Sequence, residues 1–269
     1  MPLVKVISTH RLSSYKKSFN CSSDEEALKY YYWNQALSAE IYVLLHNIEI
    51  CLRNRIHTAL SLYVSELNKD ASSDNYNWYE FFDFEVPSKE DHRQIVVGET
   101  GQAIESAKKK LRKKKMAATP QNVISNIDFG AWRHILSISH CKDLSHTNNR
   151  VLIEWNKINP QIFVHYKDIG NKNKRMFLMD RLREIGLLRN RVAHLEPVWK
   201  YKQREIGGRK IREPSNTLEI FSNLNQEIAA TVRFLSWLCS HTHDFYIKTA
   251  SYKNLQELIQ YRTIANFNL

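Results

Sequence analysis

The chain has 269 residues, 43% of them hydrophobic, and its 39 Lys and Arg outnumber 28 Asp and Glu to give a formal net charge of +11. That length and composition exclude a disordered polymer and allow a substantial buried core, as one large domain or two small ones. The charge points to a polyanionic partner, nucleic acid ahead of an acidic membrane surface, and carries no information about the fold.

Seven Gly, six Pro and few alternating runs predict an all-α protein. Cys21, Cys51, Cys141 and Cys239 are widely scattered without a C-x-x-C pair, so neither a zinc knuckle nor a redox dithiol is expected. Reduced thiols in a cytoplasmic protein are the simplest assignment, with no metal and no cofactor. The N-terminus carries no long apolar core or cleavage site, and no apolar run is long enough to span a membrane, so no membrane partner is expected.

Residues 1–22 are polar and basic and read as an irregular lead-in to a single helical domain over 23–269. Ser23-Asp24-Glu25-Glu26 matches a capping box, with a hydroxyl at the helix start and a carboxylate three residues on, and begins a helix from about Asp24 to Ala36. Ser38 to Leu67 reads as a second, long core helix, because Ile41, Leu44, Leu45, Ile48, Leu52, Ile56, Ala59, Leu60 and Tyr63 form one apolar stripe. Glu49 and Arg53 are four apart on it and are expected to pair locally, or Glu49 to orient Arg189 from across the core. Arg53 and His57 read as structural or phosphate-contacting groups.

The polar and then aromatic stretch 68–87 reads as a loop packing aromatic rings onto the core, with base stacking as the alternative. Ser88 to Met116 reads as a helix ending in Lys108, Lys109, Lys110, Leu111, Arg112, Lys113, Lys114 and Lys115. Seven bases in eight residues cover every face of a helix end, so the run is expected to be solvated and to contact an RNA backbone. Thr119 and Pro120 open another helix with Val123, Ile124 and Ile127 inward, and the small residues of Phe129-Gly130-Ala131-Trp132 suit close packing. Pro160 is expected to break the short segment that starts near Val151.

Lys174 to His194 is an apolar, helix-favouring run that ends in Arg189-Asn190-Arg191-Val192-Ala193-His194-Leu195-Glu196-Pro197. Pro197 disfavours helix at the residue before it, so the helix is predicted to end near Leu195 or Glu196, with His194 in its last turn. There the partial negative charge of the helix end favours an imidazolium, and a histidine can exchange protons near neutral pH. Arg189 lies roughly 140° around the helix from His194. Acting on one substrate therefore requires the helix to open, or the two groups to come from two symmetric copies. Asn190 and Arg191 add an amide and a second guanidinium.

Downstream, Trp199 to Arg212 alternates weakly around Gly207-Gly208 and predicts a small basic hairpin whose Lys202, Arg204, Arg209 or Lys210 could flank the motif. Helices are predicted from Thr217 to Ser240 and from Ser251 to Ile264. Cys239-Ser240-His241-Thr242-His243 converges poorly for a metal, and His134, His140 and His146 are too irregularly spaced.

The Arg-Asn-x-x-x-His pattern at a helix end resembles the R-x4–6-H signature of HEPN ribonucleases, and RNRVAHLEPV resembles the Abi-like (abortive infection) branch of that superfamily. Two further stretches fit the branch: Tyr31-Tyr32-Trp33-Asn34 followed by Ile48 to Asn54, and Ile127 to Trp132. The resemblance implies a HEPN-like helical bundle and a homodimer whose site forms where two motif helices meet. It also implies metal-independent RNA cleavage leaving a cyclic phosphate, in phage defence or as a toxin. Arg189, Asn190 and His194 would be catalytic, Arg191 and the Lys108–Lys115 bases would hold RNA, and Glu49 and Arg53 would support. The alternatives are a non-catalytic RNA-binding protein on the same scaffold, and a toxin module controlled by a partner protein.

Overall fold

A computed structural model describes residues 6–88, 90, 93–142, 150–167 and 172–265; His146 lies outside them. It is mostly α-helical, with short antiparallel strand pairs, as composition predicts. The chain forms two compact units, one of residues 1–48 with 176–269 and one of residues 49–175. No helix among the described residues is long and apolar enough to cross a membrane.

The first unit opens with helix α1 (Thr9–Phe19) where an irregular lead-in was expected. Its polar composition hides an i, i+3, i+7 series, Leu12, Tyr15 and Phe19, all buried. Tyr15 and Phe19 meet the buried Trp199 edge-on at 5.3 and 4.7 Å. Helix α2 (Asp24–Leu67) follows without a break at Ser38, because Ala36, Leu37 and Ala39 favour helix and neither Gly nor Pro intervenes. The hydroxyl half of the capping box forms, with the Ser23 hydroxyl accepting from Glu26 N–H at 3.1 Å, while the Glu26 carboxylate reaches one residue further back and accepts from Ser22 N–H at 2.7 Å. The apolar stripe of α2 is buried as read, Tyr63 excepted, which is half-buried.

The second unit takes the C-terminal part of α2. Strand β1 (Glu85–Pro87), at the end of the expected loop, pairs with β2 (Ile95–Val97), which stands where helix was expected, since the β-branched run Ile95-Val96-Val97 suits a strand, and helix α3 (Glu99–Lys113) starts only after Gly98. Trp78, Tyr79 and Phe82 of the aromatic stretch are buried, which supports packing for these three rings. Helix α4 (Pro120–Ser125) starts under a Thr119 cap as predicted, and helix α5 (Phe129–Ile135) follows. A Cβ on Gly130 would meet nothing within 4 Å, so this glycine is not a point of close packing. Strands β3 (His140–Lys142) and β4 (Arg150–Leu152) pair, and Pro160 sits inside helix α6 (Trp155–Ile162) rather than breaking it.

His57, buried on α2, accepts from the Trp78 indole N–H at Nδ1, 3.0 Å away. Its proton therefore sits on Nε2, which donates to Asn75 Oδ1 at 3.1 Å. Both ring nitrogens are satisfied in the neutral form, and this histidine is structural.

Burial lowers the His57 pKa below its ordinary value of 6.5. The unfolded chain then takes up the proton first, so stability is fully present above pH 6.5 and is lost as pH falls from there toward the folded pKa. Denaturant unfolding at pH 7.5 and 5.0 should show a smaller loss on acidification for His57→Gln than for the native protein. An equal loss in both would show that this group does not govern the acid limb.

Candidate functional site: the end of the motif helix

Helix α7 (Lys172–Ala193) buries Leu178, Leu182, Ile185 and Leu188 on one face. Met176, two residues before Leu178, is 48% exposed. Arg181 and Glu184 share the buried stripe with these leucines. Helix α8 (Thr217–Leu238) carries a matching buried carboxylate, Glu227, among Leu224, Ile228 and Val232. Arg181 donates to both Glu227 oxygens, at 3.2 and 3.3 Å. Arg204 of strand β5 (Arg204–Ile206) lies 3.2 Å from Glu184 and 3.4 Å from Glu227. Burial first, and Glu227 second, raises the Glu184 pKa. The buried Arg181, the largely buried Arg204 and two buried glutamates thus tie α7, α8 and the hairpin together.

The hairpin of β5 and β6 (Arg209–Ile211) forms as predicted, with Gly207 and Gly208 both at positive φ, 57° and 79°. The Gly207 N–H donates to Asp180 at 2.8 Å, and Arg183 donates to the Glu205 carbonyl at 2.6 Å. Arg204 was expected to flank the motif as a surface base; it is locked in the ionic cluster instead. Its guanidinium lies 4.4 Å from the centre of the Tyr201 ring, and that of Arg191 lies 5.1 Å from the same ring.

The helix ends two residues before the predicted limit. His194 is its cap, and Leu195 takes the left-handed conformation at φ 57°. Glu196 N–H bonds the Arg191 carbonyl at 2.8 Å and Leu195 N–H bonds the Val192 carbonyl at 3.2 Å, the paired bonds of a Schellman turn. The following Val198 N–H is caught by the buried side chain of Asn34 at 3.0 Å, which fixes the exit of the chain.

Arg189 is half-buried, and Asn190 and His194 are exposed. Among the described residues none of these three side chains has a hydrogen-bond or ion-pair partner. On the same helix Arg181 and Arg183 are both held by carboxylates. Arg189, Asn190 and His194 thus stand without such partners at the C-terminal end of α7. Beside them Tyr31, Asn34, Gln35, Ser38, Ala39 and Tyr42 of α2 line a cleft of about 420 Å³, closed by Val192 and Leu195.

The other expected site residues belong to the second unit. Glu49 and Arg53 form no ion pair with each other, although i, i+4 spacing allows one, and the Arg53 Nε is buried without a partner. Lys108 is not solvated as expected: it pairs with Glu80 at 2.7 Å and Glu105 at 2.9 Å. Lys109, Lys110, Arg112, Lys113, Lys114 and Lys115 are exposed, around a buried Leu111. Among the described residues no cluster of His, Cys, Asp and Glu could hold a metal ion.

Two substitutions measure these constraints. Arg181→Met leaves two buried carboxylates with one arginine and should cost about 3–5 kcal/mol in denaturant unfolding; a loss below about 1 kcal/mol would mean that the ionic cluster is not a fastener. Leu195→Gly removes the left-handed strain on a residue that is 73% exposed, and should stabilise by about 0.5–1 kcal/mol, read as a rise in the unfolding midpoint.

No curated protein and no solved structure matches the chain. The family model for Abi-like proteins matches residues 3–200, a span that takes in α1 to α7 and the left-handed turn and stops short of the hairpin. The chain belongs to the family of Abi-like proteins.

Proposed function

We propose that this protein is a metal-independent endoribonuclease of the HEPN type acting in phage defence, with a site shared between two copies of the chain in the cytoplasm. The observation that carries the reading is the set of unpaired side chains at the C-terminal end of α7: Arg189, Asn190 and His194 are free where Arg181, Arg183 and Arg191 are engaged.

RNA supplies its own nucleophile. His194 takes the proton of the 2′-hydroxyl, the 2′-oxygen bonds to phosphorus, and the P–O5′ bond breaks as the imidazolium so formed gives its proton to the leaving oxygen, yielding a 2′,3′-cyclic phosphate and a 5′-hydroxyl. Arg189 stabilises the charge that builds on the non-bridging oxygens, and Asn190 holds the phosphate or the imidazole. The angular offset of Arg189 from His194 is the reason for a composite site, in which the arginine of one copy serves with the histidine of the other. Arg191, steadied on Tyr201, and the exposed bases from Lys109 to Lys115 grip the RNA backbone. Glu49 and Arg53 would act in support.

Purified protein should cut cellular RNA in EDTA, and His194→Ala or Arg189→Ala should each lower the rate about a hundredfold or more while RNA affinity changes little. A 2′-deoxy substitution at the cut position should abolish cleavage there. Native protein that binds RNA and never cuts it, or a His194→Ala variant that cuts equally well, sinks the nuclease and leaves an RNA-binding protein.

A further inference from the structure

The cleft between α2 and the end of α7 is not accounted for by phosphate chemistry. Its α2 side repeats at positions 31, 34, 35, 38, 39 and 42, one face of the helix. Two phenol rings stand at its ends, Tyr31 half-buried and Tyr42 61% exposed. Between them lie polar groups with unused capacity. Asn34 is only 5% exposed and spends its carbonyl oxygen on Val198 N–H, while its amide nitrogen makes no hydrogen bond. Gln35 donates to the Tyr31 hydroxyl at 3.1 Å, which leaves its carbonyl oxygen to accept. The Ser38 hydroxyl has no hydrogen bond, although serine within a helix commonly bonds back to the preceding turn.

That amide nitrogen, in a side chain otherwise buried, still reaches the cleft surface, where water or a ligand acceptor that displaces it completes its hydrogen bonding. An aromatic face, a donor, an acceptor and a hydroxyl within one apolar-walled cavity are the groups that hold a flat heterocycle by stacking and read its edge by hydrogen bonds. Val192, on the opposite wall, is three residues past Arg189, so the arginine stands one turn away on the same side of α7.

We propose that this cleft is a nucleobase subsite, in which a base stacks on Tyr42 and is read by Asn34, Gln35 and Ser38 while its phosphate lies at Arg189. The proposal rests on the nuclease reading for its substrate, and it gives that nuclease a base preference set by α2.

The test uses the full chain with the four nucleoside 3′-monophosphates and inorganic phosphate as probes, followed by calorimetry. One nucleotide should bind about tenfold or more tightly than phosphate and than the weakest of the other three. Tyr42→Ala should cost about tenfold. Ala39→Trp, at an exposed helical position, should fill the cleft and remove the base-dependent part while phosphate affinity is unchanged. Equal binding of all four nucleotides, or insensitivity to both variants, overturns the subsite. So does a change of oligomeric state in Ala39→Trp with nucleotide affinity intact, which gives the cleft to a second copy of the chain. RNA cutting with an unchanged distribution of cut positions in Ala39→Trp overturns the subsite and keeps the nuclease. Base-selective binding lost in Ala39→Trp, in a protein that never cuts RNA, keeps the subsite and overturns the nuclease.

Discussion

The bidentate pair of Arg181 and Glu227, with Arg204 and Glu184 completing it, is the interaction on which the geometry of the motif helix depends. Four charges with side chains 4–11% exposed lose most of their hydration, and a Coulomb gain between them roughly offsets that loss. The cluster is therefore a weak source of net stability and a strong source of specificity. A helix that slipped by one residue along its neighbour would strand two carboxylates and two guanidinium groups in an apolar layer, at a cost of several kcal/mol. Hydrophobic contacts among Leu178, Leu182, Ile185 and Leu188 tolerate such a slip far better, because they are not directional. The ionic cluster sets the register of α7, and with it the place of Arg189 two turns later.

A second constraint acts at the other end of that segment. The left-handed turn at Leu195 stops the helix so that His194 caps it instead of lying within it, and Asn34 and Trp199 hold the chain that leaves. Leucine is a poor residue for positive φ, with a conformational cost of about 1–2 kcal/mol. The aromatic cluster of Tyr15, Phe19 and Trp199 offsets it by burying the segment just beyond. Strain of this kind at an exposed turn, over-determined by a buried anchor on each side, fixes the direction in which His194 leaves the helix.

Much of this was legible in the residues. The stripe from Ile41 to Leu60, the Thr119 and Ser23 caps and the Gly207-Gly208 hairpin turn all announce themselves through periodicity or turn chemistry, and they form as read. The unpaired state of Arg189, Asn190 and His194 was not legible, because it depends on which neighbours the fold brings near. The buried ionic cluster does leave a signal in the residues: Arg181 and Glu184 fall on the apolar stripe of α7, and Glu227 falls on that of α8. Opposite charges set in two core-facing stripes are a pairing signature, whereas a lone segment shows only surface-like residues. Helix α1 was hidden because three anchors in eleven residues leave its mean hydropathy polar. The end of α7 was misplaced because Pro197 restricts only the residue before it, and leucine is the last residue one would assign to a left-handed cap.

Charge in this protein therefore does two separable jobs, and burial decides which arginine does which. Those at 181 and 204 are neutralised inside, contribute nothing to the outward field, and fix a register. The bases from Lys109 to Lys115 keep their charge in solvent, where a Debye length of about 8 Å at physiological salt limits any single contact but lets a dense run act on a polyanion as a unit, and the half-buried Arg189 keeps its charge unpaired. Arg191 stands between the two classes: its charge is unneutralised, but the Tyr201 face beneath it restricts its motion. That ring is buried and shared with Arg204, so the ionic cluster reaches the motif through one aromatic side chain. The net charge of +11 is what remains after the internal pairs have cancelled, which is why composition could announce a polyanionic partner while leaving the site that would act on it to be found by geometry.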